Sequence, residues 1–288
     1  METILMTDSC SDLPFEYVEK NGIIPIGLTC HFKGKDYIDD FGKTLSYKEF
    51  YEEVRKGEMP TTSQVNTYRF EEVFKKFTDE GKSIIYIGFS SALSGTVGSA
   101  LSAKNHIMDQ NKNADITVID SKCASLGEGL LVYYANEMLK KGYKKDEVVK
   151  WVEDNKLKIN HYFTVEDLGH LRRGGRVSGF AAALGTILDI KPVLHVDREG
   201  RLIPIGKVKG RKKSLKFLAD SLKERIINPK DQVITISHGD CLEDALYVKE
   251  LILNDFEVKD FIINNVGPVI GSHSGPGTVA LFFMGHER

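Results

Sequence analysis

The amino-acid sequence predicts an α/β protein with two α/β domains, the first of which contains a mainly parallel sheet. Short apolar runs alternate with longer stretches of helical spacing, which is the pattern of successive strand–helix units. The run at residues 84–87 is continuously apolar, as expected for a central strand buried on both faces of a parallel sheet. With 288 residues and 41% hydrophobic content, the chain can bury a substantial core.

The N-terminal half is predicted to contain most of the strand–helix units. Apolar runs predict strands at residues 3–7, 23–32, 84–87 and 116–119, and Gly34 predicts a hairpin turn after the second of them. Helices are expected after Pro14, after Ser46 and at residues 70–81, 96–108, 126–142 and 145–156. Asp12, Ser46 and Ser94 can cap helices, because short polar side chains accept hydrogen bonds from the first free N–H groups. Residues 60–64 lack helical spacing and are predicted to form a polar loop.

The pattern changes at residue 159, so we expect domains at residues 1–158 and 159–288. Strands are predicted at residues 162–165, 190–196, 202–208, 233–237, 261–266 and 278–283, with the second and third paired as a hairpin and 261–266 as a central strand. Helices are predicted at residues 166–176, 181–185, 215–226 and 242–253. Residues 267–277 are rich in Gly, Pro and Ser and are predicted to form a loop that carries His273.

Composition excludes several classes of function. The formal net charge of -2 gives no overall attraction to nucleic acid or to an anionic membrane. The four cysteines are widely spaced, so they do not indicate a structural zinc site or a disulfide framework. The sequence also has no clustered set of Asp, Glu and His residues that would indicate a metal site. The N-terminus lacks the character of a signal peptide, and no run approaches the length of a membrane span. We therefore expect a soluble cytoplasmic protein that needs no metal or cofactor.

The hydroxyl-rich segment 90–96 raises the hypothesis of nucleophilic catalysis. A hydrolase elbow needs G-x-S-x-G, and Leu93-Ser94-Gly95 lacks the leading glycine. A lipid or acyl-ester hydrolase that uses Ser94 and His273 stays open as the alternative, although a non-catalytic Ser94 is favoured. No P-loop pattern occurs, which argues against nucleotide hydrolysis.

Basic residues form two clusters in the C-terminal half, Arg172 to Arg176 and Lys207 to Lys213. Solvated surface is the usual explanation of such clusters, and no aromatic interleaving supports nucleic-acid binding. Arg173 and Arg176 are the better candidates for docking an acidic partner, because the intervening glycines are expected to leave both guanidinium groups on an exposed turn.

Uncharged polar groups occur in two hydroxyl-rich loops at strand ends, Thr62-Ser63-Gln64 and Ser90 to Thr96, and in the Gly/Pro loop that holds His273. Hydroxyls, amides and one imidazole without a nearby acid pair suit the carboxylate of a ligand. Ordinary caps and turns explain the same residues equally well from local pattern alone.

Five motifs occur in an order that resembles the DegV family. They are Asp8-Ser9-x-x-Asp12-Leu13, Thr62-Ser63-Gln64, Ser90 to Thr96, the segment from Glu166-Asp167-Leu168 through Arg173-Gly174-Gly175-Arg176-Val177-Ser178, and Gly275-Pro276-Gly277-Thr278. Together the motifs span essentially the whole chain. One departure is Val65, where the family usually has proline, and another is Ser272-His273-Ser274, in a loop that varies within the family.

The resemblance implies a two-domain protein that buries one long-chain fatty acid in a tunnel between its domains. Such a protein resembles the non-catalytic binding subunit of a bacterial fatty acid kinase: it presents the carboxylate to an ATP-dependent partner and carries the acyl phosphate toward phospholipid synthesis, with at most transient membrane contact. By position, Thr62, Ser94 and His273 match the carboxylate-binding residues. Arg173 and Arg201 are the docking residues that the resemblance implies, and Arg176 joins them from its place on the same glycine turn as Arg173. The implied supporting loop residues are Ser63, Gln64, Ser91 and Gly95.

Overall fold

A computed structural model describes residues 2–166, 168–177 and 189–288. The helix predicted at residues 181–185, together with Asp167 and Ser178 of the sequence motif, lies outside the described residues.

The described strands and helices follow the alternating pattern of the sequence. The strands are β1 (Thr3–Asp8), β2 (Ile24–Ile26), β3 (Thr29–Phe32), β4 (Lys35–Ile38), β5 (Thr61–Ser63), β6 (Ser83–Gly88), β7 (Ile116–Asp120), β8 (Ile159–Thr164), β9 (Ile190–Val196), β10 (Leu202–Lys209), β11 (Val233–His238), β12 (Asp260–Asn265) and β13 (Val279–Met284). The α-helices are α1 (Phe15–Lys20), α2 (Tyr47–Arg55), α3 (Thr67–Asp79), α4 (Thr96–Gln110), α5 (Leu126–Lys140), α6 (Lys145–Asn155), α7 (Gly169–Arg173), α8 (Arg211–Arg225), α9 (Leu242–Asp255) and α10 (Pro268–Ser274).

The N-terminal half contains a four-stranded parallel sheet in the order β2-β1-β6-β7. Every residue of β6 is buried, which confirms the prediction of a central strand from its continuous apolar run. Ser46 also caps α2 as predicted, because its Oγ accepts a hydrogen bond from Glu49 N at 3.2 Å.

The C-terminal half contains a six-stranded mixed sheet in the order β10-β9-β8-β13-β11-β12. The predicted hairpin is present, since β9 and β10 pair antiparallel with Val196 opposite Leu202. The prediction that β12 is a central strand is wrong. The last strand, β13, inserts antiparallel between β8 and β11, and β12 is left at the edge, paired with β11 alone in the described sheet.

A small antiparallel sheet in the order β4-β3-β5 contains the stretch that was predicted to be a polar loop. Thr62 pairs with Cys30, and Thr61 and Ser63 pair with the residues on either side of Cys30. The strand is short and largely exposed, so it gives no apolar alternation for sequence reasoning to detect.

Asp12 and the Gly/Pro/Ser segment both differ from their predictions, and the two contact each other in the fold. Residues 268–274 form helix α10, with Gly267 at the N-cap and Pro268 in the first turn, where proline is tolerated. Asp12 does not cap α1; its carboxylate accepts a hydrogen bond from Gly267 N at 2.9 Å. A side chain from the other half of the protein therefore supports this helix.

The two halves, residues 2–158 and 159–288, pack through polar as well as apolar contacts. Tyr51 donates to Val266 O at 2.8 Å, and Ser90 donates to Gly200 O at 2.9 Å. The larger core cluster includes side chains from both halves, such as Tyr86 and Phe282. The change of sheet between β7 and β8 accords with a domain boundary near residue 158, which stays a prediction. No helix in the described part of the chain is both long and apolar enough to cross a lipid bilayer.

Candidate functional site: an apolar cavity with a polar end

A cavity of about 370 Å³ lies between the two halves. Its walls come from loops of the first half, such as those of Leu28 and Phe89, and from the second sheet and α10, such as Ala280 and Ile270. Most of the described lining side chains are apolar, while hydroxyls, one amide, two imidazoles and one guanidinium supply the polar minority. This volume and lining are typical of a site for a small apolar ligand with one polar group.

Thr62 and His273 lie at one end of the cavity and contact each other. Thr62 Oγ1 is 2.8 Å from His273 Nε2, although the residues are 211 positions apart. Strand β5 presents Thr62, and the last turn of α10 presents His273. The predicted pair is therefore brought together by two elements that local sequence pattern did not predict.

His273 is neutral at physiological pH. Burial, with a smaller contribution from the positive charge of Arg176, lowers the pKa of His273 to about 4. Its Nδ1 is buried and has no hydrogen-bond partner among the described residues. A β-carbon at Gly174 would lie 2.1 Å from that atom, so the absence of a side chain at Gly174 lets the ring sit here.

Ser94 lines the same end of the cavity, next to the start of α4. The prediction that it caps this helix needs correction, because Gly95 occupies the N-cap position. Ser94 Oγ lies 2.9 Å from Thr96 Oγ1 and accepts a hydrogen bond from Thr96 N at 3.3 Å. Its hydroxyl is thus held at the helix start, where free N–H groups and the helix dipole favour an anion.

The predicted supporting residues divide into two groups. Ser63, Gln64 and Gly95 line the cavity, and Gln64 Nε2 donates to Ser99 Oγ at 3.0 Å. Ser91 is exposed, and its Oγ accepts a hydrogen bond from Lys122 Nζ at 3.0 Å, so its side chain faces away from the cavity toward the surface of the first half.

The predicted docking arginines have three different environments. Arg173 is exposed on α7. Arg201 is also exposed and pairs with Asp197 across a 2.8 Å N–O distance in the β9–β10 turn. Arg176 differs from the exposed position predicted for it: it is half-buried, lines the cavity and donates to Leu93 O at 3.2 Å.

In the second basic cluster, the lysines at positions 207, 209, 212 and 213 are exposed. Arg211 is instead held internally by Asp244 and the Gly277 carbonyl. The cluster is therefore not one uniform surface patch.

The opposite end of the cavity contains a residue that sequence reasoning missed, His161. Alternate residues Thr278, Ala280 and Phe282 line the cavity, with the last two on β13, and His161 of β8 lies opposite Phe282. The His161 ring meets the Phe282 ring edge-on at 5.2 Å, and its Nε2 accepts a hydrogen bond from Ala124 N at 3.3 Å. Burial, with a smaller contribution from the positive charge of Arg288, lowers the pKa of His161 well below its ordinary value and so favours the neutral ring.

The alternative hydrolase needs a hydrogen bond between Ser94 and His273, followed by an acid on the second ring nitrogen. In the described residues Ser94 Oγ bonds within its own turn, and His273 Nε2 faces Thr62 instead. His273 Nδ1 faces Gly174 rather than a carboxylate. Within the described ranges there is also no cluster of three or more His, Cys, Asp or Glu residues that could hold a metal ion.

Comparisons with known proteins give concordant results. A family model described as "Uncharacterised protein, DegV family" matches residues 3–286. A DegV domain-containing protein of Clostridium perfringens is 49% identical over 285 residues, which is 99% of this chain and 98% of that protein.

Solved structures agree with the sequence comparison. A DegV family protein from Thermus thermophilus, described by its fatty acid binding, matches with a TM-score of 0.89 and 31% identity over 99% of this chain and 100% of that one. DegV of Bacillus subtilis, described as a fatty acid binding protein, matches with a TM-score of 0.85 and 31% identity over 99% of both chains.

Proposed function

Because the chain belongs to the DegV family, we propose that it binds one long-chain fatty acid in the cavity between its halves. The observation that carries the proposal is a mostly apolar cavity that has the hydrogen-bonding groups of Thr62, Ser94 and His273 together at one end. Thr62, Ser94 and His273 surround the carboxylate in this proposal, and the acyl chain extends along β13 toward Phe282. The fatty acid binding described for the Thermus and Bacillus relatives supports the assignment.

The energetics of such a ligand favour tail-driven affinity. Burial of about fourteen methylenes contributes on the order of 11 kcal/mol before costs, at roughly 0.8 kcal/mol each. Hydrogen bonds to a charged head group contribute about 1.5–3 kcal/mol each. Immobilising the ligand offsets much of the gross figure, so a preformed cavity matters more than any one contact. The tail supplies the affinity, and the polar end fixes the direction in which the ligand lies.

We further propose that the protein presents the carboxylate to an ATP-dependent fatty acid kinase and then carries the acyl phosphate. Two features support a partner: no P-loop pattern occurs in the sequence, and Arg173 lies exposed on α7, whose neighbouring Gly174 touches His273. Arg201 offers a second exposed guanidinium on the β9–β10 turn. In this proposal, chemistry belongs to the partner.

The experiment is mass spectrometry of lipid extracted from the denatured, purified protein. The variant Ala280→Phe, in which a larger side chain fills the cavity, is measured in parallel. Ala280 lines the middle of the cavity and is 6% exposed. The parent should release a fatty acid in near-equimolar amount, and the variant should release much less. Absence of fatty acid from the parent, together with no uptake of added hexadecanoate, would refute the proposal. Hydrolysis of a chromogenic acyl ester that disappears in Ser94→Ala would favour the hydrolase instead.

A further inference from the structure

Arg176 has a distinctive place in the cavity. Of the described residues that line it, Arg176 alone carries a permanent charge, because both lining histidines have lowered pKa values and the remaining polar groups are hydroxyls and one amide. The residue follows Gly174 and Gly175, and Gly175 has a φ of +68°, which favours glycine. This turn brings the guanidinium back toward the cavity instead of leaving it on the surface.

Among the described residues, two hydrogen bonds anchor the guanidinium. Arg176 Nε donates to Leu93 O at 3.2 Å, and Nη1 donates to Gly174 O at 2.5 Å. A guanidinium has five N–H groups. Three of them therefore have no hydrogen-bond partner in the described ranges. Leu93 directly precedes Ser94, and Gly174 touches His273, so the two anchors hold the charge close to Ser94 and His273.

A fatty acid anion at this end needs a positive partner. Moving a carboxylate out of water costs several kcal/mol unless a charge or several hydrogen bonds compensate. Neutral His273 and the hydroxyls of Thr62 and Ser94 supply hydrogen bonds but no charge. A guanidinium supplies both, and its planar N–H groups suit a carboxylate or a phosphate.

We propose that Arg176 is the counter-ion of the bound head group and makes the cavity selective for lipid anions over uncharged lipids of the same chain length. This inference rests on the proposed function. A purely structural role, in which Arg176 only fastens the α7 turn to Leu93, predicts instead that its loss weakens every ligand equally.

The test compares dodecanoate with dodecan-1-ol, which share a chain but differ in head-group charge. Both are titrated at neutral pH into the parent, Arg176→Gln, Arg176→Lys and the control Arg69→Gln. Arg69 is exposed on α3 and pairs with Glu72, so it offers the same chemical change away from the cavity. Thermal unfolding of each variant reports whether the fold is intact.

The expected result is a change in selectivity. Arg176→Gln should weaken dodecanoate about 10- to 100-fold, as expected for a lost charged hydrogen-bonding partner, and should change dodecan-1-ol less than about threefold. Arg176→Lys should restore part of the preference as a point charge, and Arg69→Gln should match the parent. An unchanged ratio of the two affinities in a folded Arg176→Gln would overturn the inference while leaving the proposed function intact. A parent that binds neither ligand would overturn the proposed function, and the inference with it.

Discussion

Ala124→Leu tests the direction in which the acyl chain lies. Ala124 lines the cavity, and its backbone N–H binds His161 beside Phe282. Thr278, at the other end of this wall, donates to Ser274 O next to His273. Phe282 is four residue steps along the chain from Thr278, which directly precedes β13, or roughly 14 Å at about 3.4 Å per step. If the carboxylate binds beside His273, a substitution at Ala124 is felt only by the far end of the chain.

The size of the effect follows from the volume added. Leucine places three more carbons than alanine in the cavity, so it displaces about three methylenes of a ligand that reaches this depth. At roughly 0.8 kcal/mol per methylene the loss is about 2.4 kcal/mol, or about 50-fold in affinity. A chain too short to reach Ala124 loses nothing by this mechanism.

The assay is a titration series of saturated fatty acids, from decanoate to octadecanoate, into the parent and Ala124→Leu. The matched control is Ala92→Leu, the same change at an exposed position of the Ser94 loop. The loss of affinity relative to the parent should grow with chain length in Ala124→Leu and should stay near zero at every length in Ala92→Leu. Equal losses for the shortest and longest acids would refute the orientation, because they would place Ala124 near the head group.

Two further substitutions test the head-group end and the buried acids. Gly174→Ala places a methyl 2.1 Å from His273 Nδ1, so it should displace the ring and weaken the binding of fatty acids. The control Gly98→Ala meets nothing within 4 Å, so it should leave binding unchanged and add about 0.5–1 kcal/mol of helix stability. Equal fatty acid affinities of the two variants by calorimetry would contradict this prediction. Burial raises the pKa of Asp39 to about 7, so the folded protein holds a proton that the unfolded chain releases near pH 4, and the free energy of unfolding should fall as the pH rises from about 4 to 7. Asp39→Asn should remove up to about 4 kcal/mol of that fall; the same pH slope as the parent in urea unfolding would show that Asp39 does not cause it.

Periodicity predicted most of the fold, because strands and helices that face a core carry their pattern locally. It correctly predicted buried β6 and the β9–β10 hairpin. It failed at α10, whose glycines, proline and serines are typical of loops and whose N-terminus is held by Asp12 from the other half. It also failed for β12, since the position of a strand in a sheet depends on the strands that insert beside it.

The site was predictable only as separate loops. Thr62, Ser94 and His273 were identified from a resemblance of motifs, and nothing local shows that Thr62 and His273 touch across 211 positions. His161 gave no signal, because one histidine in an apolar strand is compatible with any core. The sequence predicts Arg176 on the surface, and the structure does not place it there. Whether a glycine turn is exposed depends on what it packs against, and here Arg176 packs against the Leu93 carbonyl.

The proposed head-group site belongs to neither half alone. Thr62 and Ser94 come from the first half, while Arg176 and His273 come from the second, so the four converge only when the halves are packed. Asp12 strengthens this dependence, because its carboxylate supports the N-terminus of the helix that ends with His273. A ligand whose carboxylate contacts both halves therefore links them, and its binding free energy also stabilises the packing of the two halves against each other. In the proposed function the carboxylate lies beside His273, whose ring touches Gly174, the residue after exposed Arg173. We propose that a partner enzyme reaches the carboxylate from this side while the acyl chain stays in the cavity.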